Sequence, residues 1–129
     1  MNDTQETGKP LLRFIETLEQ VNHTLMLSCP YCQDESIHQT KVEVFDREED
    51  REDETHTVVE YKRAERTVPT GLIKCNAEYV KKKNPSDRRQ GLLITFYCET
   101  CDDIPVLAIA QHKGITYIDW YANDSLPRL

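Results

Sequence analysis

Four of the five cysteines fall in two pairs of identical spacing, Cys29-Pro30-Tyr31-Cys32 and Cys98-Glu99-Thr100-Cys101. Four thiolates in two such pairs can close a tetrahedral shell around a zinc ion with no coordination position left open. That is the arrangement of a structural site, not a catalytic one. Between Cys32 and Cys98 lie 65 residues, far more than the roughly 15–20 of a compact ribbon, so tertiary contacts must bring the pairs together. The fifth cysteine, Cys75, stands alone on the apolar face of a strand and reads as a small buried hydrophobe.

Other chemistry is less well served. Cys-Pro-Tyr-Cys also resembles the glutaredoxin active-site tetrapeptide, and Thr67-Val68-Pro69 resembles that family's cis-proline segment. A dithiol oxidoreductase needs its first thiol at a helix N-terminus, where the dipole favours the thiolate. Here Cys32 is followed by Gln33-Asp34-Glu35-Ser36 and then by β-like Ile37–Phe45, and the alternating βαβ pattern is missing. His23, His38 and His56 have no second ligand at helical or knuckle spacing, and His112 sits beside a turn. No Ser/His/Asp arrangement or Gly-rich phosphate loop is found. A zinc ion held by four sulfurs leaves no place for an activated water, so the expectation is a non-enzymatic protein, with the oxidoreductase as an alternative.

The positioning elements are mostly strands. Thr24–Ser28 leads into the first cysteine pair, and apolar Leu92–Tyr97 delivers the second. His38–Phe45 and His56–Lys62 form a hairpin with a long acidic tip. Ile73, Cys75, Ala77 and Tyr79 share one strand face. Val106–Ala110 and Ile115–Trp120 flank a turn at Lys113-Gly114, and the near-continuous apolar run of the first arm predicts a central strand. One helix is expected: Leu11, Leu12, Phe14, Ile15, Leu18 and Val21 recur at helical spacing after Pro10, predicting an amphipathic helix over Pro10–Val21. The fold class is therefore mainly β (α+β), an antiparallel zinc-ribbon-like sheet with one N-terminal helix. Residues 1–8 read as a flexible tail and 9–129 as a single domain.

Charge separates the chain into lobes. The formal balance is −7, which argues against a protein that coats nucleic acid. Residues Asp46–Thr55 hold seven acids against two arginines, whereas Lys81, Lys82, Lys83, Arg88 and Arg89 form a basic loop broken only by Asp87. That loop could grip phosphate or an acidic protein; it could also pair internally with the acids. A protein partner is favoured, with nucleic acid as the alternative. No apolar run of about 18 residues is present, and the N-terminus lacks the pattern of a signal peptide. The expected location is the cytoplasm, and no membrane partner is expected.

One resemblance spans roughly residues 24–121. It rests on Cys-Pro-Tyr-Cys, then Asn84-Pro85-Ser86-Asp87-Arg88-Arg89-Gln90-Gly91, then Cys98-Glu-Thr-Cys101, then Leu107-Ala-Ile-Ala-Gln-His-Lys-Gly114 and Trp120. This order of motifs resembles a group of small bacterial and bacteriophage zinc-ribbon-like proteins without assigned activity. The resemblance implies a structural Zn²⁺ on Cys29, Cys32, Cys98 and Cys101 and a phage or prophage origin, hence a host cytoplasm. It implies no partner.

Overall fold

The computed structural model describes residues 11–49, 51–61, 73–74 and 83–121. The tail 1–8, Thr67-Val68-Pro69, Cys75 with Ala77 and Tyr79, and the basic residues Lys81 and Lys82 lie outside the described residues. In chain order the strands are β1 (Leu18–Val21), β2 (Thr24–Leu27), β3 (Ile37–Asp46), β4 (Thr55–Glu60), β5 (Ile73–Lys74), β6 (Gly91–Cys98), β7 (Val106–His112) and β8 (Ile115–Trp120). β1 and β2 make a two-stranded hairpin. The others build a six-stranded antiparallel sheet in the order β5-β4-β3-β6-β7-β8. Both expected hairpins form, β3–β4 around the acidic tip and β7–β8 around Lys113-Gly114, where Gly114 takes φ 77°. β7 lies inside the sheet, between β6 and β8.

The helix expected over Pro10–Val21 does not form among its described residues. Phe14–Thr17 is a single 3₁₀ turn, and Leu18–Val21 is a strand paired with Thr24–Leu27. The reversal sits at Asn22-His23, with Asn22 at φ 60°, a conformation that asparagine tolerates better than most residues. Tertiary pairing outweighs the helical spacing. Leu11 and Phe14 pack against the core, but Ile15 and Val21 from the same supposed stripe are exposed.

Side chains alternate across the sheet, giving it two buried clusters. Phe45, Leu93 and Ala108 form one. Phe96, Leu107 and Trp120 form the other, packed by Leu11, Phe14 and Leu27 from the N-terminal segment. Trp120 sets its ring edge-on to Phe96 and donates its indole N–H to Thr17 Oγ1 at 3.1 Å. The N-terminal segment is thus fastened to the last strand.

At the end of the sheet away from the cysteines, the Asn84-Pro85-Ser86 turn is buried. Asn84 Oδ1 accepts from Ser86 N (2.9 Å), while Asn84 Nδ2 donates to Arg89 O (2.9 Å) and Glu54 Oε1 (3.0 Å). Ser86 Oγ donates to Gln111 O (2.7 Å) and accepts from the Arg89 amide (3.0 Å). Glu54 also pairs with the buried Arg47 (3.4 Å), whose guanidinium donates to Ser86 O (3.3 Å). The turn lies so close to β6 that a Cβ on Gly91 would meet Asn84 Oδ1 at 2.2 Å and Pro85 Cδ at 2.7 Å. The Asn-Pro-Ser-x-Arg-Arg-x-Gly motif therefore has a packing reason in this chain: the turn clamps the sheet, and only glycine leaves it room.

Candidate metal centre

Strand register explains how the distant cysteine pairs meet. β3 starts directly after the first knuckle and β6 ends on the second, and the two strands pair with Ile37 opposite Cys98. Further bonds tie the knuckles directly. Glu99 N donates to Ser36 O (3.0 Å), and Thr100 Oγ1 donates to Asp34 Oδ2 (2.8 Å). The Asp34 carboxylate also accepts the Ser36 amide at 3.0 Å. Led by the Thr100 hydroxyl, these bonds hold the Asp34 carboxyl below its usual value. This link is present above the ordinary carboxylate range and is lost as pH falls through the lowered value.

The knuckles repeat one backbone form. Cys29 N–H donates to Asp34 O (2.7 Å) and Cys98 N–H to Asp103 O (3.0 Å). Gln33 N–H donates to Cys29 O (2.8 Å) and Asp102 N–H to Cys98 O (2.9 Å). In each, the residue after the second cysteine is left-handed, Gln33 at φ 68° and Asp102 at φ 64°. Gln33 is exposed and pays the steric cost of that conformation, on the order of 1 kcal/mol. Gln33→Gly should therefore stabilise the protein by about 0.5 kcal/mol after the added freedom of the unfolded chain is subtracted. A thermal melt should show a small upward shift in Tm.

The four sulfurs converge. Cys29 Sγ lies 3.8 Å from Cys101 Sγ, Cys32 Sγ lies 3.6 Å from Cys98 Sγ, and all four fall within 4.8 Å of one another. These separations are too long for disulfides, whose S–S length is about 2.0 Å, and the thiols are free. Four sulfurs at about 2.3 Å from one ion would stand about 3.8 Å apart, so the donor set fits a tetrahedral S₄ centre such as zinc. Cys29 and Cys98 are buried; Cys32 and Cys101 are half-buried.

Crowding the thiols has electrostatic consequences. Burial pushes the Cys29 thiol up, and burial with three neighbouring sulfurs pushes Cys101 up further. Burial also raises Cys98, but the amides of Cys101 and Thr100 overcome it and the net shift is downward. A divalent cation at the centre would offset the repulsion of four thiolates. The upward shift at Cys29 is the opposite of what activates a dithiol nucleophile.

The remaining candidates are dispersed. Arg88 and Arg89 pair with Glu49 in the acidic segment at 2.8 and 3.5 Å, and Lys83 pairs with Glu43 at 2.8 Å. These three cations thus contact acids of the same chain. His38 pairs with Glu99 beside the second knuckle. His56, which has no partner recognisable in sequence, is buried, stacks on Phe45 with ring centroids 4.4 Å apart and meets Glu43 at 3.0 Å. Sequence reasoning missed the buried set of Glu43, Arg47, Glu54 and His56. Its only signal, charged or titratable residues at Glu43 and His56 inside β3 and β4 and at Arg47 and Glu54 just beyond their paired ends, depends on knowing the register. Among the described residues, no helix is long and apolar enough to cross a membrane. Compared with known proteins, the chain matches no family model, no curated protein and no solved structure.

Proposed function

We propose that this protein is a zinc-binding accessory or regulatory protein without catalytic activity, acting by binding a macromolecule, with a protein as the favoured partner. The observation that carries the reading is the convergence of four sulfurs from two matched knuckles. Such a shell, once filled, offers no open position for substrate or water. The pairing of Lys83, Arg88 and Arg89 with Glu43 and Glu49 favours a protein over nucleic acid, because those cations would have to leave internal partners to reach phosphate. The resemblance to phage and prophage proteins makes a modulator of a host or defence protein the natural form of this role.

Elemental analysis of protein purified under reducing conditions should find about one zinc per chain; a folded, metal-free preparation overturns the metal reading. Metal content should fall on acidification, because each thiolate ligand must be deprotonated to bind and protons compete as pH drops. A salt-dependent gel shift of DNA or RNA, lost on charge reversal at Arg88 and Arg89, would favour nucleic acid. Reduction of a mixed disulfide by metal-free protein, dependent on Cys29, would favour the oxidoreductase.

A further inference from the structure

The four sulfurs differ in their access to solvent. Cys32 and Cys101 are half-buried, whereas Cys29 and Cys98 are buried. Each half-buried sulfur has a buried sulfur of the other knuckle beside it, Cys32 with Cys98 at 3.6 Å and Cys101 with Cys29 at 3.8 Å. An accessible sulfur next to a second one that can displace oxygen from it is the arrangement of an oxidation-sensitive thiol pair. Sequence spacing alone would pair Cys29 with Cys32 and Cys98 with Cys101, the pairing that a dithiol oxidoreductase uses. The fold offers partners across the knuckles.

The backbone around the centre is held independently of the sulfurs. Ile37 stands opposite Cys98 across β3 and β6, and Glu99 N–H and Thr100 Oγ1 donate to Ser36 O and Asp34 Oδ2. These ties keep the knuckles side by side when the sulfurs change partners. A disulfide has an S–S length of about 2.0 Å, so Cys32 and Cys98 must close by about 1.6 Å from their present 3.6 Å. Rotation of the two side chains covers that distance.

We propose that the sulfur centre is a two-electron redox switch, in which a peroxide converts it to disulfides across the knuckles, Cys32–Cys98 first, and its ion is released. The inference rests on the zinc reading above. The Cys32 thiolate attacks one peroxide oxygen; the O–O bond breaks, hydroxide leaves, and Cys32 becomes a sulfenic acid. The Cys98 thiolate then attacks that sulfur; the S–O bond breaks, a second hydroxide leaves, and the disulfide is formed. One peroxide is reduced and two thiolates are oxidised. Two sulfurs remain as ligands, too few for a closed structural shell. A second peroxide joins Cys29 to Cys101 in the same way, and a thiol reductant reverses both bonds by exchange.

The test uses the full chain, purified under reducing conditions, freed of reductant and treated with about one equivalent of hydrogen peroxide. A colorimetric chelator should report zinc set free by peroxide and little without it. No lysine or arginine separates the cysteines of either pair, so trypsin leaves each knuckle on its own fragment. A bond across the knuckles joins the two fragments, whereas a bond within a knuckle leaves them apart. The fragments should be joined, tandem fragmentation should place the bond at Cys32–Cys98, and a thiol reductant should part them. Zinc that stays bound overturns the proposal, as do unjoined fragments or a bond to Cys75. A first bond from Cys29 to Cys98, or from Cys32 to Cys101, overturns the pairing. Protein that holds no zinc before peroxide is added overturns the metal reading itself, which separates the two failures. Circular dichroism should keep its sheet signal after oxidation; loss of that signal would mean release by unfolding and overturns the switch.

Discussion

Replacing Cys98 with serine should remove the metal and lower stability by at least about 3 kcal/mol, roughly 10 °C or more in Tm for a chain of this size. Structural zinc contributes on the order of 10 kcal/mol or more of apparent binding free energy in small domains at neutral pH. Serine supplies a poor ligand where a thiolate is required. Cys98 is buried at the end of β6, so the change also leaves a hydroxyl in a site shaped for sulfur. A chelator separates the two effects. It should lower the Tm of the wild type towards that of Cys98→Ser and leave the variant unchanged. Equal chelator sensitivity in both proteins would show that the sulfurs do not share one ion. Because Asp34–Thr100 and Ser36–Glu99 join the knuckles without metal, the metal-free chain should keep most of its sheet and lose order mainly around residues 28–36 and 98–105.

Gly91→Ala carries the second large effect, at the opposite end of the sheet. The added methyl would lie 2.2 Å from Asn84 Oδ1 and within 2.8 Å of the Pro85 ring. Neither neighbour can yield cheaply. Pro85 is fully buried and rigid, and Asn84 holds Ser86, Arg89 and Glu54 at once. Overpacking of this kind costs about 1–3 kcal/mol, and the lost Asn84 bonds place the expected loss near the upper end. A denaturant titration should show a lower midpoint. In an Asn84→Ala background the same glycine substitution should cost less, since the worst overlap is gone. Strict additivity in that double-mutant cycle would mean that the turn does not rest on Gly91.

Several features were legible in the residues themselves. Two Cys-x-x-Cys pairs announced the sulfur site, and Lys113-Gly114 between two apolar runs announced the last hairpin; both depend on local spacing. The N-terminal segment shows where local spacing misleads. Leu11, Phe14 and Leu18 fit a helix, yet Leu18–Val21 gains a full set of strand bonds with Thr24–Leu27, and Thr17 secures Ser28 and Trp120. Helix propensity is a difference of tenths of a kcal/mol per residue, too little to oppose such pairing.

The chain alone decided which atoms could bind a metal, because the donor type and the two-residue gap inside each knuckle are written in neighbouring positions. Only the folded sheet decided that the two knuckles share one centre. That outcome rests on β3 lying beside β6 with Ile37 opposite Cys98, and strand order is a long-range property that no short window contains. The same sheet brought Arg88 and Arg89 to Glu49 and buried Glu43 and His56, because which side of a strand faces inward follows from register; Arg47 and Glu54, just beyond the paired ends of β3 and β4, are buried against the Asn84-Pro85-Ser86 turn.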